Sequence, residues 1–111
     1  MGIEKIVITR DHGYGETSIE YCFPADSEKI KYVLDFLDSL VFTDIHRDTS
    51  GLMGGGIKIG IVYDNQTVKN VFALGDCVRV SGDYDGNYQE IWYRMIGGSY
   101  PTFKEFFATL E

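Results

Sequence analysis

The sequence predicts an α+β fold: an antiparallel meander sheet, in the order ββ-α-βββββ-α, packed on one amphipathic helix, with a short C-terminal helix. Three observations carry this expectation. Short β-branched or alternating segments recur along the chain, separated by turns rich in Gly, Asp and Asn. One stretch, 27–40, repeats its apolar residues at helical spacing. A second apolar stripe at that spacing lies at the C-terminal end. The 111 residues are one domain's worth, 1–111, enough to bury a core without metal or disulfide staples.

Residues 3–9, IEKIVIT, are β-branched and read as a strand. Two glycines make Asp11-His12-Gly13-Tyr14-Gly15 a loop. Residues 17–23 then alternate, with Thr17, Ile19, Tyr21 and Phe23 on one face and Ser18, Glu20 and Cys22 on the other. The first two strands therefore form a hairpin. Pro24 ends the second, and Asp26 or Ser27 supplies a side-chain oxygen to cap a helix over 27–40. Its apolar stripe is Ile30, Val33, Leu34, Leu37 and Leu40, predicted to cover one sheet face. Lys31 and Asp35 fall on the exposed side as an i,i+4 pair, worth only about 0.2–0.5 kcal/mol.

Val41–Asp48 is expected to begin the next strand, followed by a mobile glycine-rich connection over 51–56. Ile57, Ile59, Ile61 and Tyr63 alternate with Lys58, Gly60 and Val62. The turns Asp64-Asn65-Gln66 and Gly75-Asp76 lead into Thr67–Leu74 and Cys77–Ser81. Asp85-Gly86 is a strong hairpin signal ahead of a last strand at Tyr88–Ile96. After Gly97-Gly98, Thr102 and Glu105 match a capping box that opens a helix bearing Phe103, Phe106, Phe107 and Leu110. In element order alone the chain resembles small helix-plus-meander modules such as cystatin-like folds, in which a curved sheet wraps one helix. That resemblance transfers no functional residue.

Charge narrows the function. Seventeen acidic against ten basic residues give a net charge of −7, and the cations are scattered. No basic stripe exists to neutralise phosphates or an anionic lipid surface, so direct nucleic-acid binding and membrane-surface binding are not expected. No apolar run is long enough for membrane insertion. No leader is visible at Met1-Gly2, which is either a native start or a replacement for one, so the compartment stays open. Cys22 and Cys77 pair in an oxidising compartment, or pack as two buried thiols; no CxxC spacing points to redox or zinc chemistry.

The candidate motifs fail on residue types. The run GLMGGGIKIG lacks the Gly-Lys-Ser/Thr of a phosphate loop and precedes a strand rather than a helix. The turn Ser81–Gly86 aligns with the start of a calcium loop, but position 12 is Trp92 where a bidentate Glu is required. Asp44, His46 and Asp48 share a strand face with Asp11-His12 nearby, yet offer too few good ligands for structural zinc. No cofactor, metal or catalytic residue is therefore assigned.

The aromatics are the remaining signal. Tyr14 and Tyr84 lie in Gly-containing loops, Tyr88 beside a turn, and Trp92 one strand turn on; Tyr100 precedes Pro101. Tyr and Trp supply stiff contact area with a polar tip, as interfaces use them. The expectation is a non-catalytic protein-interaction domain, an inhibitor or immunity-type protein or a module of a larger envelope protein, binding through Tyr14, Tyr84, Tyr88 and Trp92. An acidic rim of Asp11, Asp83 and Asp85 would steer a basic partner. The alternatives are a small-ligand or metal-dependent domain and an enzyme with an unrecognised site. A filled core beneath the helix favours interaction; an open polar pocket favours the alternatives.

Overall fold

The computed structural model describes residues 2–11, 19–44, 56–84, 87–95 and 98–110. They form one seven-stranded sheet and two helices. The strands are β1 (Ile3–Asp11), β2 (Ile19–Pro24), β3 (Phe42–Asp44), β4 (Gly56–Tyr63), β5 (Val68–Leu74), β6 (Cys77–Tyr84) and β7 (Asn87–Met95). The helices are α1 (Lys29–Asp38) and α2 (Ser99–Ala108). The order ββ-α-βββββ-α is the one the sequence predicts. None of the helices among the described residues is long and apolar enough to cross a membrane.

Across the sheet the strands run β2-β1-β4-β5-β6-β7-β3, every neighbour antiparallel. β4 to β7 are a true meander, because tight turns join them. Gly75 takes φ 63° at the first central position of the two-residue β5–β6 turn, which L side chains resist. The β4–β5 turn is longer. Gln66 N–H donates to Tyr63 O at 2.9 Å, and Gln66 itself adopts φ 71°. Asn65 Oδ1 accepts from the Thr67 amide at 3.1 Å and its hydroxyl at 2.7 Å, which locks the exit from the turn. The β1–β2 hairpin joins this meander through β1 and β4. β3, three residues long, pairs with the far edge at β7.

Strand alternation divides the sheet into two faces. On one, Ile6, Ile8, Ile57, Ile59, Ile61, Val71, Ala73, Val78 and Met95 are buried under the helices. α2 lies over β4, β5 and β6, with Phe103, Phe106, Phe107 and Leu110 all buried as the sequence predicts. α1 sits to the side, against β2. Its fully buried residue is Val33, while Ile30, Leu34, Leu37 and Leu40 are half-buried against the same core. Phe36 and Tyr32 dock α1 on α2: Phe36 stacks on Phe106 at 3.9 Å between ring centroids and lies edge-on to Phe103 at 5.2 Å, and Tyr32 stacks on Phe106 at 5.4 Å. The smaller helix in the sequence expectation thus takes the larger share of the sheet.

Several boundaries differ from expectation for identifiable reasons. α1 runs Lys29–Asp38 rather than 27–40, and of the two caps expected it is Ser27 that serves its start, its Oγ accepting from Lys29 N–H at 3.1 Å. α2 begins at Ser99, not after Thr102, so Thr102 is inside the helix and its hydroxyl donates to Gly98 O at 2.8 Å. Pro101 is compatible with this start because first-turn amides have no intrahelical acceptor. Tyr100 is consequently a helix residue packed on the core, not a loop residue. Ser99 is buried, its Oγ 2.8 Å from Gly75 O and 2.6 Å from Cys77 O, which ties α2 to the β5–β6 turn. Gly56 belongs to β4 and is buried, whereas 51–55 lie outside the described residues. Cys22 is exposed and Cys77 buried. Four strand spacings separate β2 from β6, about 19 Å, too far for a disulfide.

Candidate functional site

The other face of the sheet carries no helix among the described residues. The register places Lys58 of β4 opposite Phe72 of β5, Phe72 opposite Arg79 of β6, and Arg79 opposite Trp92 of β7. Cation and aromatic therefore alternate along one line across four strands. The contacts follow the register. The Arg79 guanidinium carbon lies 5.1 Å from the Phe72 ring centroid and 5.7 Å from that of Trp92. Each such contact contributes about 0.5–1 kcal/mol where partly exposed. Phe72 is itself seated on glycine: a Cβ added at Gly56 would lie 2.7 Å from its Cζ. Ser81, two residues along β6 on the same face, is only 2% exposed.

Arg79 is held without being satisfied. Its Nε is enclosed and has no hydrogen-bond partner. Among the described residues it makes no ion pair, although Arg94 reaches Asp76 at 3.9 Å and Lys31 reaches Asp35 at 3.2 Å. An uncompensated guanidinium that is half-buried costs desolvation and gains only the two ring contacts. The face around it is also electrically unlike the chain as a whole. By strand alternation its positions are Lys5, Lys58, Arg79 and Arg94 against Asp11, Glu20, Asp83 and Glu90. The two signs balance here, on a chain of net charge −7.

β7 is exposed along its first half. Residues Asn87 through Ile91 are all exposed, with Tyr88 at 63% and Ile91 at 46%. Tyr88, Glu90 and Trp92 share the helix-free face by alternation, and Tyr88 Oη reaches Glu90 Oε2 at 3.5 Å. β3 covers the outer side of β7 only at Tyr93–Met95, where Phe42 stacks on Tyr93 at 5.4 Å.

The structure brings together part of the aromatic set. Tyr88 and Trp92 are four residues apart on one strand and one face. Tyr84 closes the β6–β7 hairpin opposite Asn87, its backbone one residue out of phase with the Asp83–Tyr88 pair. Tyr14 lies outside the described residues. The strand ends Asp11 and Ile19 lie at the sheet end that holds Cys77, whereas Tyr84 and Tyr88 mark the opposite end. The same geometry parts Asp11 from Asp83 by three strands and most of a strand length, on the order of 25 Å. Asp85 is outside the described residues, so Asp11 and Asp83 alone do not make one rim.

Asp44 ends β3 opposite Tyr93, while His12, His46 and Asp48 lie outside the described residues. Among the described residues no three His, Cys, Asp or Glu side chains converge as a metal site. Sequence reasoning passed over Phe72 and Arg79. The signal was present, since both are large residues on strands at alternating positions, but only the cross-strand register puts them beside Trp92. No protein-family model, curated protein or solved structure matches the chain.

Proposed function

We propose that this is a non-catalytic protein-interaction domain that docks a partner protein on the helix-free face of β5, β6 and β7. The observation that carries this reading is the convergence of Phe72, Arg79, Trp92 and exposed Tyr88 on one face that carries no helix among the described residues. Trp, Tyr and Arg are the residue types that dominate binding energy at interfaces. Two further features support it. The space beneath the helices is filled, with Phe103, Ile6, Ile8 and Ile59 fully buried. Phe72 and Trp92 also flank Arg79 on either side, so less of their side-chain freedom is left to lose on docking.

The test is affinity capture from the source cells with wild type, Trp92→Ala and Tyr88→Ala, read with the melting temperature of each. The reading expects bound partners to be lost from both variants, with binding weakened by about 1–3 kcal/mol each, while both melt close to wild type. Unchanged capture by both variants would refute it.

A further inference from the structure

We propose that Arg79 is a carboxylate receptor and that the partner of this face presents an acidic peptide segment to it. The inference rests on the docking role given to this face above and names the chemistry of its occupant. The guanidinium is held between the Phe72 and Trp92 rings at 5.1 and 5.7 Å, so it is positioned before any ligand arrives. Nε is enclosed without an acceptor, which leaves the terminal amino groups to meet an incoming oxygen. A planar fork suits a carboxylate, which it binds through two parallel hydrogen bonds. The flanking rings exclude water from that pair and leave it less screened than a surface salt bridge.

A second cation stands within reach of the same ligand. Lys58 stands on the line of Arg79, two strands away at about 10 Å. Three residues of an extended polyproline-type peptide span nearly the same distance, so two carboxylates at i and i+3 meet both cations. The chain's net charge of −7 opposes such a ligand at long range, but that opposition is screened beyond about 8 Å at physiological salt. The sign of the salt effect therefore differs from that for a basic partner: association with an acidic segment speeds up as salt is raised from low to physiological strength.

Trp92 is the chain's single tryptophan, so its fluorescence reports on this site alone. The experiment selects a random displayed peptide library on the wild-type protein, Arg79→Gln, Arg79→Lys and Trp92→Ala, each checked for an unchanged melting temperature. Synthetic copies of the selected peptides, with free and amidated C-termini, are then titrated against Trp92 emission. The proposal expects peptides rich in Asp and Glu, or dependent on a free C-terminal carboxylate, that shift Trp92 emission. Arg79→Gln should weaken them on the order of tenfold or more, with Arg79→Lys between. The amidated copies tell side-chain from C-terminal carboxylates. Selected peptides that shift Trp92 but lack carboxylates, or bind Arg79→Gln equally, overturn the carboxylate receptor and leave the docking face standing. Peptides that bind Trp92→Ala equally and leave wild-type emission unchanged, or a library that yields none, overturn both. Oligothymidylate binding that shifts Trp92 more tightly than any peptide overturns the proposal in favour of a nucleic-acid platform.

Discussion

The two faces of the one sheet are built from the same strands and spend their large residues differently. Under the helices, isoleucine and phenylalanine interlock, and Phe103, Ile6 and Ile59 lose all contact with water. On the other face, aromatics alternate with cations, and the largest side chains are half-exposed. Strand alternation forces this division, since each residue of β5, β6 or β7 must belong to one face. A sheet that only needed stability would fill its uncovered face with small polar and β-branched residues. Placing Phe72, Arg79 and Trp92 there in one row costs desolvation that a plainly solvated face would not incur.

The comparison breaks most readily at Phe103. It is fully buried and touches Phe36 of α1, so it joins both helices to the sheet. Phe103→Ala is expected to destabilise by about 3–5 kcal/mol, measured by denaturant unfolding, whereas Trp92→Ala should cost much less. Equal losses would mean the uncovered face is a second core. Gly56→Ala comes next. Its new Cβ would lie 2.6 Å from Ala73 O and 2.7 Å from Phe72 Cζ, and the backbone oxygen cannot swing away. An overpacking loss of about 1–3 kcal/mol is expected, with Phe72 displaced from Arg79. Slow amide exchange at Gly56, matching its neighbours in β4, is the companion measurement.

How much of this was legible follows from which rule each feature obeys. The helix-covered face obeys periodicity: the stripe of α2 and the alternation of Tyr21 and Phe23 against Glu20 and Cys22 can be counted along the chain. Phe36 broke the pattern because it meets α2 rather than the sheet, and no single-helix pattern encodes a second helix. The start of α2 was misplaced because Thr102 and Glu105 fit a capping box, whereas Thr102 lies inside the helix and Pro101 is a tolerated first-turn residue. The row Lys58–Phe72–Arg79–Trp92 was invisible for a deeper reason. Its members are spread over four strands, and only the β4–β5, β5–β6 and β6–β7 registers align them. Tyr88 and Trp92 were recoverable because they lie on one strand.

Strain offers a sharper control, away from both faces. Gln66 holds φ 71° in the β4–β5 turn, a conformation that costs an L residue about 1–2 kcal/mol. Glycine removes that cost and adds back about 0.5–1 kcal/mol of backbone entropy. Gln66→Gly should therefore raise stability by up to about 1 kcal/mol in denaturant melts and leave binding at Trp92 untouched. A loss of stability would show that the Gln66 side chain contributes more than its backbone costs.

The smallest expected effect on stability is the most informative about the comparison. Tyr88 is 63% exposed on β7, and its hydroxyl meets only Glu90 at a long 3.5 Å. Its ring faces solvent rather than core, so Tyr88→Ala should change stability by no more than about 0.5 kcal/mol. Substituting a strand residue does carry a propensity cost, because alanine is a poorer strand former than tyrosine. Tyr88→Thr removes that complication, since threonine keeps the strand preference and loses the ring. If both variants melt with wild type, the exposed ring does nothing for the fold. If alanine melts lower and threonine does not, the loss is backbone preference alone. If both melt lower by more than about 1 kcal/mol, Tyr88 covers the β6–β7 edge as part of the structure, and the division between a packed face and a docking face fails at β7.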